Sequence, residues 1–87
     1  MPTISRFCGI TITMHWDEPH HSARHFHALY GEYEAALTLA GEVIAGDLLR
    51  PQLRLVQAWC ELYPEELRTD WLCAAEGQPL EPIAPLR

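Results

Sequence analysis

Lysine is missing from this sequence, so its formal positive charge rests on six arginines set against twelve acids, a net charge of −6. An acidic balance opposes non-specific nucleic-acid binding, whose affinity comes mainly from neutralised phosphates. Cysteine is sparse: Cys8, Cys60 and Cys73 are an odd set with no C-x-x-C pair. That argues against a disulfide framework or a zinc knuckle and fits free thiols in a reducing compartment. No stretch approaches the ~20 apolar residues of a membrane span. The start, Met1 to Arg6, lacks the long apolar run of a secretory signal, so a cytoplasmic location with no membrane contact is expected. Serine occurs only as Ser5 and Ser22, neither in a nucleophile motif. Glycine-rich phosphate loops, G-x-S-x-G elbows and acidic calcium loops are also missing, which removes the commonest phosphate-binding, hydrolase and calcium-binding signatures.

What is present is enough to fold. Hydrophobic content of 48% excludes a largely disordered chain, and 87 residues suffice for a single domain, taken as residues 1–87. Residues 1–46 read as antiparallel strands. After a short strand around Thr3–Phe7 and a turn at Gly9, Ile10, Ile12, Met14 and Trp16 alternate with Thr11, Thr13 and His15. Asp17 to Arg24 is a polar loop. His25 to Leu39 reads as a hairpin turning at Gly31-Glu32, where a leading glycine suits a two-residue type II′ turn. This register pairs Tyr30 with Tyr33, Ala28 with Ala35 and Phe26 with Leu37 on one apolar face. It sets His25 across from Thr38, His27 across from Ala36 and Leu29 across from Glu34 on the other. A one-residue slip would exchange the faces, burying two imidazoles and exposing Phe26. A turn at Ala40-Gly41 returns a last short strand around Glu42–Ala45.

Residues 51–77 read as two helices and 78–87 as an extended tail. Pro51 opens the first helix, whose apolar stripe is Leu53, Leu55, Val56, Trp59, Cys60 and Leu62. Pro64 opens the second, with Glu65 and Glu66 in a first turn that favours acids. Leu67, Trp71 and Ala74 or Ala75 continue its apolar side, and Gly77 and Pro79 stop it. Arg50 and Arg54 are expected to pair with nearby acids, and Glu61, Glu65 and Glu66 to form a solvated face. The expected fold is α+β, a two-layer arrangement in which an antiparallel sheet of four or five strands is covered on one face by two C-terminal helices.

Reactive side chains concentrate between His15 and His27, where all five histidines lie. His25 and His27 stand two apart on a strand, so both rings leave one face with Cα atoms roughly 6.5–7 Å apart. His15 belongs to the polar face of its own strand, so adjacent strands would bring three imidazoles together beside Thr11, Thr13 and Thr38. Three readings follow. In one, this polar face docks a protein partner or a second copy of the chain. In another, His25 and His27 move protons during phosphodiester cleavage of RNA while Arg24 or a threonine stabilises the oxyanion. In the third, His15, His21, His25 and His27, with Glu34 as a further candidate, bind a divalent transition metal such as zinc or nickel.

The same residues carry a resemblance. Met1-Pro2-Thr3-Ile4-Ser5-Arg6-Phe7 with Gly9-Ile10, His25-Phe26-His27-Ala28 with Tyr30-Gly31, Arg54-Leu55-Val56 with Trp59, Glu65-Glu66-Leu67 with Trp71, and Pro82-Ile83 to Leu86 together resemble a bacterial and archaeal family of short proteins. It is the domain-of-unknown-function family number 4160, with a Pro-Pro-His-Phe-His-Ala type signature. The chain departs from it at Ala23-Arg24, where the family has two prolines, and at Tyr63, where a histidine is common. The latter weakens any mechanism requiring a helix-borne imidazole. The resemblance implies a candidate partner, a second small family of unknown function numbered 2442, and a toxin–antitoxin-like pairing. The expected function is therefore a small cytosolic protein-interaction module, with a histidine-dependent or metal-assisted phosphodiesterase and a metal-binding protein as alternatives.

Overall fold

Hairpin chemistry builds the first half of the chain. The structure is a computed structural model describing residues 2–15 and 24–86. Strand β1 (Thr3–Phe7) turns into β2 (Ile10–Thr13) through Cys8 and Gly9, with φ of 53° and 77°. Two consecutive positive φ angles match the right-handed twist of the flanking strands. Strand β3 (His25–Tyr30) meets β4 (Tyr33–Thr38) across Gly31, whose φ of 59° is the one a type II′ turn requires at its first central residue. Strand β5 (Val43–Asp47) follows a turn in which the Thr38 N–H donates to the Glu42 carbonyl at 2.8 Å and the Glu42 N–H donates to Thr38 Oγ1 at 3.1 Å. The five strands form one antiparallel meander in the order β1-β2-β3-β4-β5.

The register of the central hairpin is the expected one at every pair from His25 with Thr38 to Tyr30 with Tyr33. Ile12 lies beside Ala28 and Thr13 beside His27, so β2 aligns its alternation with β3. Phe26, Ala28, Leu37, Ile10, Ile12 and Met14 are all buried in one cluster. Two irregularities mark the edge strands. Ile4 is an extra residue between the Thr3 and Ser5 pairs, and Ile44 is an extra residue between the Val43 and Ala45 pairs. Gly46 (φ 74°) lies so close to the Glu34 carbonyl that a Cβ there would collide with it.

Helix α1 (Arg50–Leu62) begins with Pro51 in its first turn, where a missing N–H costs nothing, and α2 (Pro64–Ala75) begins with Pro64. Tyr63 ends one helix and starts the next: its N–H donates to the Trp59 carbonyl at 3.3 Å, and its carbonyl accepts from Leu67 at 3.1 Å. Val56, Trp59 and Cys60 are the buried side of α1, while Leu62, expected in that stripe, is exposed. It sits at the last turn, beyond the reach of the sheet. Trp59 joins the layers, with its ring centroid 5.5 Å from Phe7 and 5.8 Å from Phe26. Burying a side chain of this size contributes roughly 1.5–3 kcal/mol.

The tail is extended, as expected, but it is also structural. Ile83 is buried and donates its N–H to the Ile4 carbonyl at 2.7 Å, at the bulge of β1. Trp59 Nε1 donates to the Ala84 carbonyl at 2.8 Å. No helix among the described residues is long and apolar enough to cross a membrane.

Candidate functional site

Strand alternation places Phe26 in the core and His25 and His27 on the opposite face of β3, and the neighbouring strand brings His15 alongside. The His15 and His27 rings stack with centroids 5.6 Å apart and planes at 14°. His25 meets His27 edge-on at 5.4 Å. These two ring contacts share His27. Thr13 and Ala36 flank His27 in register, and Thr38 flanks His25.

The face is not uniformly open. His25 is only 2% exposed, because Trp71 of α2 packs against it with centroids 5.5 Å apart. The expectation of an open sheet face is corrected at this residue. His25 is the first residue of β3, and at a strand end a helix that covers the other face can send a long side chain around the end of the sheet. The two tryptophans thus touch opposite faces of β3, Trp59 at Phe26 and Trp71 at His25.

His27 is half-buried, and its Nδ1 lies 3.3 Å from Glu34 Oε2. The atoms are close enough for charge attraction, but the geometry is not that of an aligned hydrogen bond. Burial lowers the imidazole's pKa below its ordinary value, the charge of His25 works in the same direction, and Glu34 opposes both. His27 is thereby held mainly neutral at physiological pH. With Glu34, Ala36, Ala45 and Gly46 it lines a shallow cavity of 180 Å³, whose small neighbours leave the ring approachable.

Arg24, expected to stabilise an oxyanion beside His25 and His27, lines a different cavity of 440 Å³ with Arg68, Thr38 and Pro64. Among the described residues no three His, Cys, Asp or Glu side chains converge closely enough to hold a metal ion. His21, the fourth candidate ligand, lies outside the described residues, as do Trp16 and His20.

Two features escaped the sequence reading. One is the exposure of β5, the last of the expected strands, every residue of which is exposed, including Val43 and Ile44. The other is Asp70, buried on the inner side of α2. A signal for it existed: Asp70 follows Leu67 by three, which puts an acid within the apolar stripe. Nor do Arg50 and Arg54 pair with acids among the described residues.

No curated protein and no solved structure matches the chain. The family described as "Domain of unknown function (DUF4160)" matches residues 9–72, which run from the first turn through the histidine face to Trp71. That span exceeds half of the sequence, and the chain belongs to that family.

Proposed function

We propose that this chain is a small cytosolic protein-interaction module, one member of a toxin–antitoxin-like pair, whose contact surface runs from the His15 and His27 face to the β5 edge. The observation that carries this reading is β5. It is an edge strand, all five of its residues are exposed, and it offers Val43 and Ile44 at 41% and 47% exposure, with Leu49 at 42% just beyond. Edge strands with exposed apolar side chains are normally blunted or covered, because they otherwise promote indiscriminate association. The opposite edge, β1, receives a hydrogen bond from the chain's own tail. The bulge at Ile44 and the positive φ of Gly46 twist β5 and discourage simple strand addition. Contact through side chains is therefore the better fit, with Glu34 and His27 lying one and two strands inward.

The phosphodiesterase reading has less support. Its acid–base pair would be one half-buried histidine and one covered by Trp71, and Arg24 opens onto another cavity. The neutral His27 beside Glu34 is the feature that would serve it.

Co-expression with a member of the small family numbered 2442, the candidate partner that the resemblance implies, followed by size-exclusion chromatography, tests the proposal. A stable complex is expected. Ile44→Lys, at an exposed position, should weaken it by roughly tenfold or more, as loss of a central apolar contact does, with Tm little changed. A chain that stays monomeric beside that candidate partner, or a nuclease activity abolished by His27→Ala without loss of fold, would overturn it.

A further inference from the structure

Helix α2 buries an acid where its stripe calls for an apolar residue. Asp70 is 1% exposed. Its Oδ1 accepts a hydrogen bond from the Glu81 N–H at 2.9 Å, fastening the start of the tail to α2. Its Oδ2 is buried with no hydrogen-bond partner among the described residues. A buried carboxylate oxygen with no partner is costly, and native structures rarely leave one without a purpose.

Asp70 forms part of the wall of a 340 Å³ cavity between α2 and the tail, together with Glu65, Glu66, Glu81, Pro82 and Ile83. That size sits at the lower end of the ~300–1,000 Å³ typical of small-ligand sites. Four acids meet there, and among the described residues no arginine lies within ion-pair distance of them. Burial raises the Asp70 carboxyl above its ordinary value, and the nearby charge of Glu81 adds to the effect. Among the described residues no three acids form a group that could hold a metal ion. A larger cation with spread charge is the better match for a cavity of this size. Pro82 and Ile83 offer apolar wall for an alkyl stem, and a planar guanidinium matches carboxylates better than an ammonium does.

From the buried Asp70 oxygen and the acids gathered over it, we infer that this cavity receives an arginine side chain of the partner protein. Asp70 is the buried acid of its lining, and Glu65, Glu66 and Glu81 are the exposed ones. The guanidinium need not touch Oδ2, because an opposite charge within ~4–6 Å already favours the ionised carboxyl. The inference rests on the interaction-module reading and names the chemistry of the partner.

The test uses the full chain and no partner. N-acetyl-arginine amide is titrated while the amide resonances of Thr69, Asp70, Glu81 and Ile83 are followed by NMR. Saturable shifts at these amides are expected, with the millimolar-range Kd of so small a ligand, and N-acetyl-citrulline amide, its neutral isostere, should produce none. Asp70→Asn keeps an oxygen to accept from Glu81 and should weaken arginine binding roughly tenfold or more. Glu65→Gln with Glu66→Gln, both exposed, should weaken it without disturbing the fold. Equal shifts with citrulline amide or with magnesium chloride alone, no saturable shifts, or unchanged binding in Asp70→Asn would each overturn the site. None of these outcomes touches the β5 contact, which stands or falls on complex formation and Ile44→Lys.

Discussion

At His27 burial and a neighbouring acid compete, and burial wins. Burial and the charge of His25 lower its pKa, the contact with Glu34 raises it, and the charge of His15 adds a smaller lowering. The unfolded chain therefore binds a proton at a higher pH than the folded chain does. As pH falls through the ordinary imidazole value of about 6.5, the unfolded state gains a proton that the native state resists, and stability declines until the depressed native pKa is passed. Above that ordinary value this contribution is fully present. Urea midpoints measured from about pH 7.5 to about pH 5 should fall with acidification, and His27→Gln should flatten the slope. The comparison between variants is needed because Asp70, whose carboxyl is raised, acts in the opposite sense at lower pH. Identical slopes in the two proteins would show that His27 titrates as it does in the unfolded chain.

Among the elements, the tail was the least legible in the sequence and makes close use of the core. It binds three separate elements: Ile83 to β1, Ala84 to Trp59 of α1, and Glu81 to Asp70 of α2. Trp59→Phe keeps an aromatic ring between Phe7 and Phe26 but removes the donor to Ala84. A lost hydrogen bond that leaves a partner unsatisfied costs about 1–3 kcal/mol, and the smaller ring adds a packing loss. Hydrogen exchange should then quicken at Glu81 and Ile83 before it does in the central β3–β4 pair, and uniform protection across both regions would show that the tail contact contributes nothing. The hairpins, by contrast, could be read directly. Alternation at Ile10 to Met14 and at His25 to Tyr30, with Gly31 at the turn, specifies both register and face, because a slip by one residue would have buried imidazoles and exposed Phe26. The last strand lies one to two residues later than expected, at Val43–Asp47, since neither a bulge at Ile44 nor the close approach of Gly46 to Glu34 leaves a mark in local pattern.

At the scale of the whole molecule, the thiols report how tightly the layers close. Cys60 faces the core, where burial pushes its thiol up to about 12, and Cys8 is exposed on the first turn. Iodoacetamide should label Cys8 in the native protein and reach Cys60 only through opening events, so that mass spectrometry finds Cys8 fast, Cys60 strongly protected and the half-buried Cys73 between them. For a domain of this size the protection should reflect a stability of about 4–13 kcal/mol, from ~0.05–0.15 kcal/mol per residue. Labelling of Cys60 as fast as Cys8 would mean that α1 does not stay docked on the sheet.

The amino-acid order alone determined the strand pairing, the face each residue of β3 occupies and the two proline-led helices, since these follow from side-chain periodicity and backbone stereochemistry within a few residues. Three matters were decided only in three dimensions: the contact of Trp71 with His25, the different cavities that Arg24 and His27 line, and the burial of Asp70 beneath the tail. Each joins segments distant along the chain, and which side chain reaches around a strand end depends on how the layers dock, information that no local pattern carries.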